Sequence, residues 1–255
     1  MKNIYLIFIY LSVSASTINM DYIGELSIFG KVAEGSVVYK NDGKKYHIKV
    51  VGHGTGIVGY LTQKKKYIFE SIGIVKNKQL IPMKYITHET RKDLNKTKIY
   101  IFDYEHNKTI ITKYKQEKIA EPLYNVFSAK DKIQSQFIDE KSTETLDEVY
   151  NNDMVSVLFN KKINLLNMKK GEPKLVQAAG SKDTQEGIIV NLVSVIDGKY
   201  TYSVVLKKDY LENGSADVTF ILDSDNILYE AKVDGILFFG NAIVKRYEAS
   251  SLEDK

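Results

Sequence analysis

Period-two alternation of apolar and polar residues constrains this chain more than any other feature. Tyr46, Ile48 and Val50 fall on one face of an extended segment, with His47 and Lys49 on the other. Tyr67 and Phe69 alternate with Ile68 and Glu70, and Met83, Tyr85 and Thr87 with Lys84, Ile86 and His88. Successive side chains of a strand point to opposite faces, so this pattern predicts half-buried strands. Lys98–Tyr104 and Thr109–Tyr114 continue it, and the break Glu105-His106-Asn107 is short enough for a hairpin. The composition agrees: 18 Tyr and 10 Phe, types that suit a pleated surface.

The pattern returns in the C-terminal third. "GIIVNLVSV" and "KYTYSVVLK" flank Asp197-Gly198, a strong two-residue hairpin signal. "ADVTFIL" and "NILYEAKV" flank Asp223–Asp225, and "NILYEAKV" and "ILFFGNAIVK" flank Asp234-Gly235. Serial hairpins make an antiparallel meander, which curls when its inner face is apolar and its strands long. The expected fold is therefore mainly β: a strongly curved antiparallel meander, a half-barrel or open barrel, with one short covering helix.

That helix belongs to the interval between the two β regions, about 115–174. Its first part, around Gln116–Glu148, is polar and weakly periodic and reads as an extended connection. Asp153 can cap the turn that follows, and Met154, Val157, Leu158 and Leu165 share a helical face, which predicts a helix at about Met154–Leu165. A competing start is the capping box Thr145-x-x-Glu148. A single domain over 16–245 and a polar tail over 246–255 complete this organisation.

At the N-terminus, Lys2 precedes the apolar run Ile4–Leu11, and Val13 and Ala15 fit the −3 and −1 positions of a cleavage site. The run is too short to span a bilayer and reads as a signal peptide over 1–15; a buried N-terminal strand or helix is the alternative. No later stretch approaches about 18 consecutive apolar residues, so no membrane span is expected. The chain has no Cys, which excludes disulfides, thiolate ligands and a lipidated cysteine anchor. A periplasmic location is the expectation. Net charge is +4, with lysines spread along the alternating segments, which reads as a solvated sheet surface and not a nucleic-acid patch.

No pattern for catalysis, a cofactor or a metal emerges. His47, His53, His88 and His106 form no ligand spacing, and a solvent-facing strand position suits them better. "GHGTGIVG" at Gly52–Gly59 has no nucleophile elbow to serve as an oxyanion hole for, and reads as a bend in a strand that continues through Leu61. Asp223-Ser-Asp225-Asn226 lacks the Gly and late Glu of a calcium loop and reads as a turn.

Glu70-Ser71-x-Gly73, Leu80-x-Pro82-x-x-Tyr85, Phe102-Asp103 and Asp153-Met-Val-Ser156 together form a pattern that resembles a family of exported bacterial envelope proteins, a domain of unknown function. Tyr46–Leu61 looks like that family's second strand pair. The likeness covers roughly Gly24–Lys245, is loose after Leu175, and departs at the polar insertion near Gln116–Glu148. It implies a strongly curved sheet with a covering helix, reminiscent of the lipoprotein carriers LolA and LolB, and carries over no catalytic residue.

The expected function is non-catalytic: binding or carrying a lipid, acyl chain or other amphipathic ligand in an apolar half-barrel. Tyr46, Ile48, Tyr67, Phe69, Met83, Tyr85, Phe220 and Tyr229 are the expected cavity-lining residues. The alternative is an envelope assembly or scaffold factor with a protein partner and no small-molecule ligand. A core filled by the protein's own side chains is the plainest reading of the same apolar face. "FESIGIVKNKQLIPMKYITHE" reads as a hairpin in which Ser71 is a strand residue and Pro82 lies near the start of the second strand.

Overall fold

The computed structural model describes residues 16–123, 132–160, 165–180, 187–207, 215–236 and 240–247. Residues 1–15, with the expected signal peptide, lie outside them.

The N-terminal wing is built from β1 (Ser16–Leu26), β2 (Gly30–Asn41), β3 (Lys45–Gly54), β4 (Lys66–Lys76), β5 (Gln79–Arg91), β6 (Leu94–Asp103), β7 (Lys108–Leu123) and β8 (Lys132–Leu146). The C-terminal wing comprises β9 (Lys174–Val176), β10 (Ile188–Ile196), β11 (Lys199–Lys207), β12 (Ser215–Leu222), β13 (Leu228–Ile236) and β14 (Gly240–Tyr247). Two short helices, α1 (Gly56–Leu61) and α2 (Ser156–Phe159), and a 3₁₀ turn at Leu165–Asn167 accompany them. All strands join one antiparallel sheet of 14 strands, open at β8 and β9, in which β1 and β14 join the two wings. The meander is the expected mainly β fold.

Turn chemistry sets much of the register. Asn77 and Lys78 take φ 52° and 62°, and Asp197 and Gly198 take 48° and 71°, the left-handed pair that a two-residue hairpin requires. The stretch from Phe69 to Glu89 is accordingly a hairpin of β4 on β5. Gly73 lies opposite Pro82, and a Cβ there would collide with the Ile81 carbonyl and the Tyr46 ring. At Asp223–Asn226 the Asp223 carboxylate accepts from the N–H of Asp225 (3.0 Å) and of Ile227 (2.9 Å), making the expected turn.

Several expectations need correction. Within the interval Gln116–Glu148, expected as an extended connection, residues 116–123 and 132–146 belong to strands: β7 and β8 pair without a break from Thr109↔Leu146 to Leu123↔Lys132. The described side chains of β8 are mostly exposed, so its sequence carries no apolar period. Cross-strand polar pairs stand in for one, such as Lys113–Glu144 (2.8 Å) and Gln116–Asp139 (2.9 Å). Thr145 pairs with Ile110 inside β8 and starts no helix. Residues 56–61 do not continue β3; Gly56 turns to φ +56° and opens α1. Asp234-Gly235 is an irregularity within β13, which pairs with β14 as far as Ile236↔Gly240. The helix expected over Met154–Leu165 is the single turn α2 and the separate 3₁₀ turn, with 161–164 outside the described residues. At Asn160 the backbone becomes extended. Arg246 and Tyr247, expected in a polar tail over 246–255, belong to β14; the rest of that stretch lies outside the described residues.

Two apolar clusters form. The larger gathers Met20, Tyr46, Ile48, Tyr85, Tyr100 and Phe102 from the N-terminal wing with Tyr150, Val155, Ala179 and Ile227. The smaller holds Leu165, Val190, Leu192, Tyr202 and Leu222. Residues 150–160 therefore lie against the concave face and couple the wings. The Tyr22 hydroxyl donates to the Leu228 carbonyl (2.8 Å), another link between them.

Candidate functional site: a glycine-floored cavity

Cross-strand register converts the sequence into rows along the concave face. One row runs Ile18, Tyr39, Ile48, Ser71, Tyr85, Tyr100 and Ile111. It is filled with side chains; Ile48, Ser71 and Tyr85 are fully buried. Two rows further along the same face, the order is Tyr22, Gly35, Gly52 and Tyr67. Next to it stand Val244, Gly24, Ala33 and Gly54. Here the sheet presents almost no side-chain volume. A Cβ placed on Gly52 would meet nothing within 4 Å.

The space so left is a cavity of about 690 Å³. Its walls are Tyr67, Phe69 and Tyr85 on one side and Leu228 and Val244 from the C-terminal wing on the other. Val155, Leu158 and Phe159 of the crossing segment form a third wall, and Val58 and Thr62 of the α1 region close one end. Few charged side chains reach it; Glu34, His53 and Lys65 mark its margin.

A buried polar junction holds the crossing segment in place. Asp153 Oδ1 accepts from the N–H of Val155 (2.9 Å) and of Ser156 (2.8 Å), which is the capping role its position predicts. Ser71 Oγ donates to Asp153 Oδ2 at 2.5 Å, and the Tyr46 hydroxyl lies 3.0 Å from Ser71 Oγ. Asn160 bonds both backbone groups of Leu80, at 2.9 and 3.3 Å. Asn226 Nδ2 donates to the Leu158 carbonyl (2.5 Å), and Met154 and Asn152 pair with Ala179. Burial pushes the Asp153 carboxyl above its ordinary value of 3.8, against the donors from Ser71, Val155 and Ser156. Burial also raises the Tyr46 and Tyr85 hydroxyls, with Asp153 adding to both.

The four motif fragments thus meet in space. Ser71 meets Asp153, Gly73 gives Tyr46 room, Leu80 receives Asn160, and the Pro82 carbonyl accepts from Tyr104 (2.8 Å), which stacks on Phe102. They build the seat of residues 150–160. Ser71 is enclosed on all sides.

The expected lining residues divide. Tyr67, Phe69 and Tyr85 line the cavity. Tyr46 and Ile48 point inward but belong to the packed junction. Phe220 stacks on Tyr202 (centroids 5.1 Å) against the smaller cluster. Met83 faces out, 42 % exposed. The pairs Ile72↔Lys84 and Gly73↔Pro82 leave it as the extra residue of a bulge, which shifts the phase between Pro82 and Tyr85. Tyr229 likewise falls at a register shift, between Ile221↔Glu230 and Leu222↔Leu228, and belongs to neither apolar cluster. The Lys199 ammonium lies over its ring at 3.5 Å. Sequence reading missed the glycines of the floor and the wall at Val155, Leu158 and Phe159. Gly35 and Gly52 signal a cavity only once the register shows them side by side on the concave face.

Among the described residues no three His, Asp or Glu side chains gather as a metal site, and no helix is long and apolar enough to cross a membrane. His53 approaches Glu34 (3.6 Å) and His88 meets the Thr97 hydroxyl (2.8 Å). No protein-family model, curated protein or solved structure matches this chain.

Proposed function

We propose that the protein is a non-catalytic binder or carrier of a hydrophobic or amphipathic ligand, a lipid or acyl chain, held in the concave face of its open sheet. The observation that carries this reading is the glycine-floored cavity. Its volume, about 690 Å³, falls within the roughly 300–1,000 Å³ of small-molecule sites. Its walls are aromatic and aliphatic, which suits hydrocarbon better than a polar metabolite. A carrier in the periplasm accords with the N-terminal apolar run and the absence of cysteine. The family resemblance read in the sequence implies a fold reminiscent of LolA and LolB, an analogy of fold that carries no function by itself.

Native mass spectrometry of protein purified without detergent tests this reading. A mass increment that organic extraction identifies as lipid is the expected result; an unliganded protein that takes up no added fatty acid refutes it.

A second reading, an envelope assembly or scaffold factor, is favoured by one feature. β8 is an edge strand of 15 residues with an unpaired outer side among the described residues. Such an edge can accept a partner strand, although its charges, including Glu140, Lys141 and Glu144, are the kind that discourage pairing. Crosslinking in cells from probes in β8 separates the readings: specific protein adducts favour a scaffold, and none favours the carrier.

A further inference from the structure

The end of the cavity closed by α1 has an outer surface that the carrier reading does not use. Within the helix, Val58 faces the cavity and Gly59 is buried against Gly54. Ile57, Tyr60 and Leu61 stand at positions i, i+3 and i+4 and share the opposite face. They are 55, 82 and 66 % exposed. The Thr55 N–H donates to the Val32 carbonyl (2.7 Å), so α1 begins beside the start of β2. The β1–β2 turn at the same end of the sheet exposes Ile28. Nothing in the fold needs these side chains in water, and a group of large exposed apolar residues beside a cavity is the mark of an interaction surface.

The charges around this surface have one sign in excess. Lys64, Lys65 and Lys66 follow the helix directly, Lys31 lies at the start of β2, and Lys92 sits in the β5–β6 turn at the same end. Of the nearby acids, Glu34 is paired with Lys31 (2.7 Å) and Glu89 with Lys65 (2.9 Å), leaving Asp93. Lys64 and Lys66 have no ion pair among the described residues. Apolar side chains flanked by lysines are how a surface element sits in the headgroup layer of an anionic bilayer. Each lysine near such a surface contributes about 1 kcal/mol.

We infer that the α1 end of the molecule docks on an anionic lipid surface, with Ile57, Tyr60 and Leu61 entering the headgroup–acyl boundary and Lys64 and Lys66 contacting lipid phosphates. The inference deepens the carrier reading and rests on it for its biological sense. The inner face of the docking helix is a wall of the cavity, so a chain leaving the bilayer here has the shortest path to the glycine floor.

Flotation with phosphatidylcholine vesicles, with and without phosphatidylglycerol, tests the docking surface separately from cavity occupancy. The full chain should float with the anionic vesicles, weakly with the neutral ones, and less as salt is raised. The double variant Tyr60→Glu/Leu61→Glu should lose at least about tenfold in vesicle affinity with an unchanged thermal midpoint. Lys64→Glu/Lys66→Glu, which leaves the apolar face intact, should also weaken anionic binding. Gly52→Leu, which fills the cavity, should float like the parent. No flotation by the parent, flotation of both double variants equal to the parent's, or a stable dimer that buries Tyr60 would overturn the inference. Intact flotation by a protein that takes up no fatty acid would sink the carrier reading and leave the docking surface standing.

Discussion

Two halves of one concave face follow opposite designs. Around Tyr46, Ile48, Ser71 and Tyr85, every inward position is filled and a buried polar junction locks residues 150–160 against the sheet. Around Gly35 and Gly52 strands β2 and β3 present almost no side-chain volume, and the same crossing segment stands away from the floor as a wall. Backbone pairing is continuous through both halves. What separates core from cavity is therefore side-chain volume, set residue by residue on β2 and β3. The packed half supplies the rigidity that lets the other half stay open, since an apolar void is maintained only where its surroundings do not collapse.

The comparison breaks most readily at the junction. Gly73→Val sets a branched side chain against the Ile81 carbonyl and the Tyr46 ring and should cost roughly 3 kcal/mol or more. Asp153→Ala removes the acceptor of two backbone N–H groups and of Ser71 and should cost about 2–4 kcal/mol. Urea unfolding midpoints measure both. Losses below about 0.5 kcal/mol would mean that the junction does not hold the crossing segment.

Asp153→Asn sharpens the point with a pH dependence. The variant keeps an acceptor oxygen for the cap and offers an N–H₂ that Ser71 Oγ can accept. Because burial holds the native Asp153 pKa above its unfolded value of 3.8, its contribution is full below that value and is lost as pH rises through the native pKa. The parent should therefore lose stability relative to Asp153→Asn on going from about pH 4 upward. Parallel unfolding series across that range read the sign directly; a relative gain with rising pH would contradict it.

Smaller effects are expected away from the junction. Glu70 lies on the outer face, paired with Lys49 (2.9 Å) and near His47 (3.3 Å). Glu70→Lys should cost about 0.5–1 kcal/mol through like charges facing across strands. The Tyr85 hydroxyl is buried with no hydrogen-bond partner among the described residues. Tyr85→Phe keeps the ring in the cavity wall and removes that orphan, so it should change stability by between zero and about 1 kcal/mol in the favourable direction. Thermal midpoints resolve the two signs.

Much of this was legible where the chemistry is local. Asn77-Lys78, Asp197-Gly198 and Asp223–Asn226 mark their turns through left-handed backbone and a carboxylate that bonds its own turn, so hairpins are readable from a few residues each. Asp153 was legible as a cap for the same reason. The pairing of β8 with the length of β7 was not, because the described side chains of β8 are mostly exposed and need no apolar period. Nor was α1, whose six residues are too few to show a helical one. Met83 was misassigned because a single bulged residue reverses the inward phase, and nothing in the alternation marks it. The cavity required register: Gly35 and Gly52 are 17 apart in sequence and become a floor only as cross-strand neighbours.

Gly52→Leu tests most directly whether the open half is a binding site. The position has ordinary strand backbone and free space above it, so the leucine should fill the floor without strain. Titration of parent and variant with a fluorescent fatty acid, alongside their thermal midpoints, gives the answer. A binding cavity predicts saturable uptake by the parent, at least about tenfold weaker uptake by Gly52→Leu, and a variant midpoint equal to or above the parent's. Equal uptake by the two proteins, or none by either, would contradict the account.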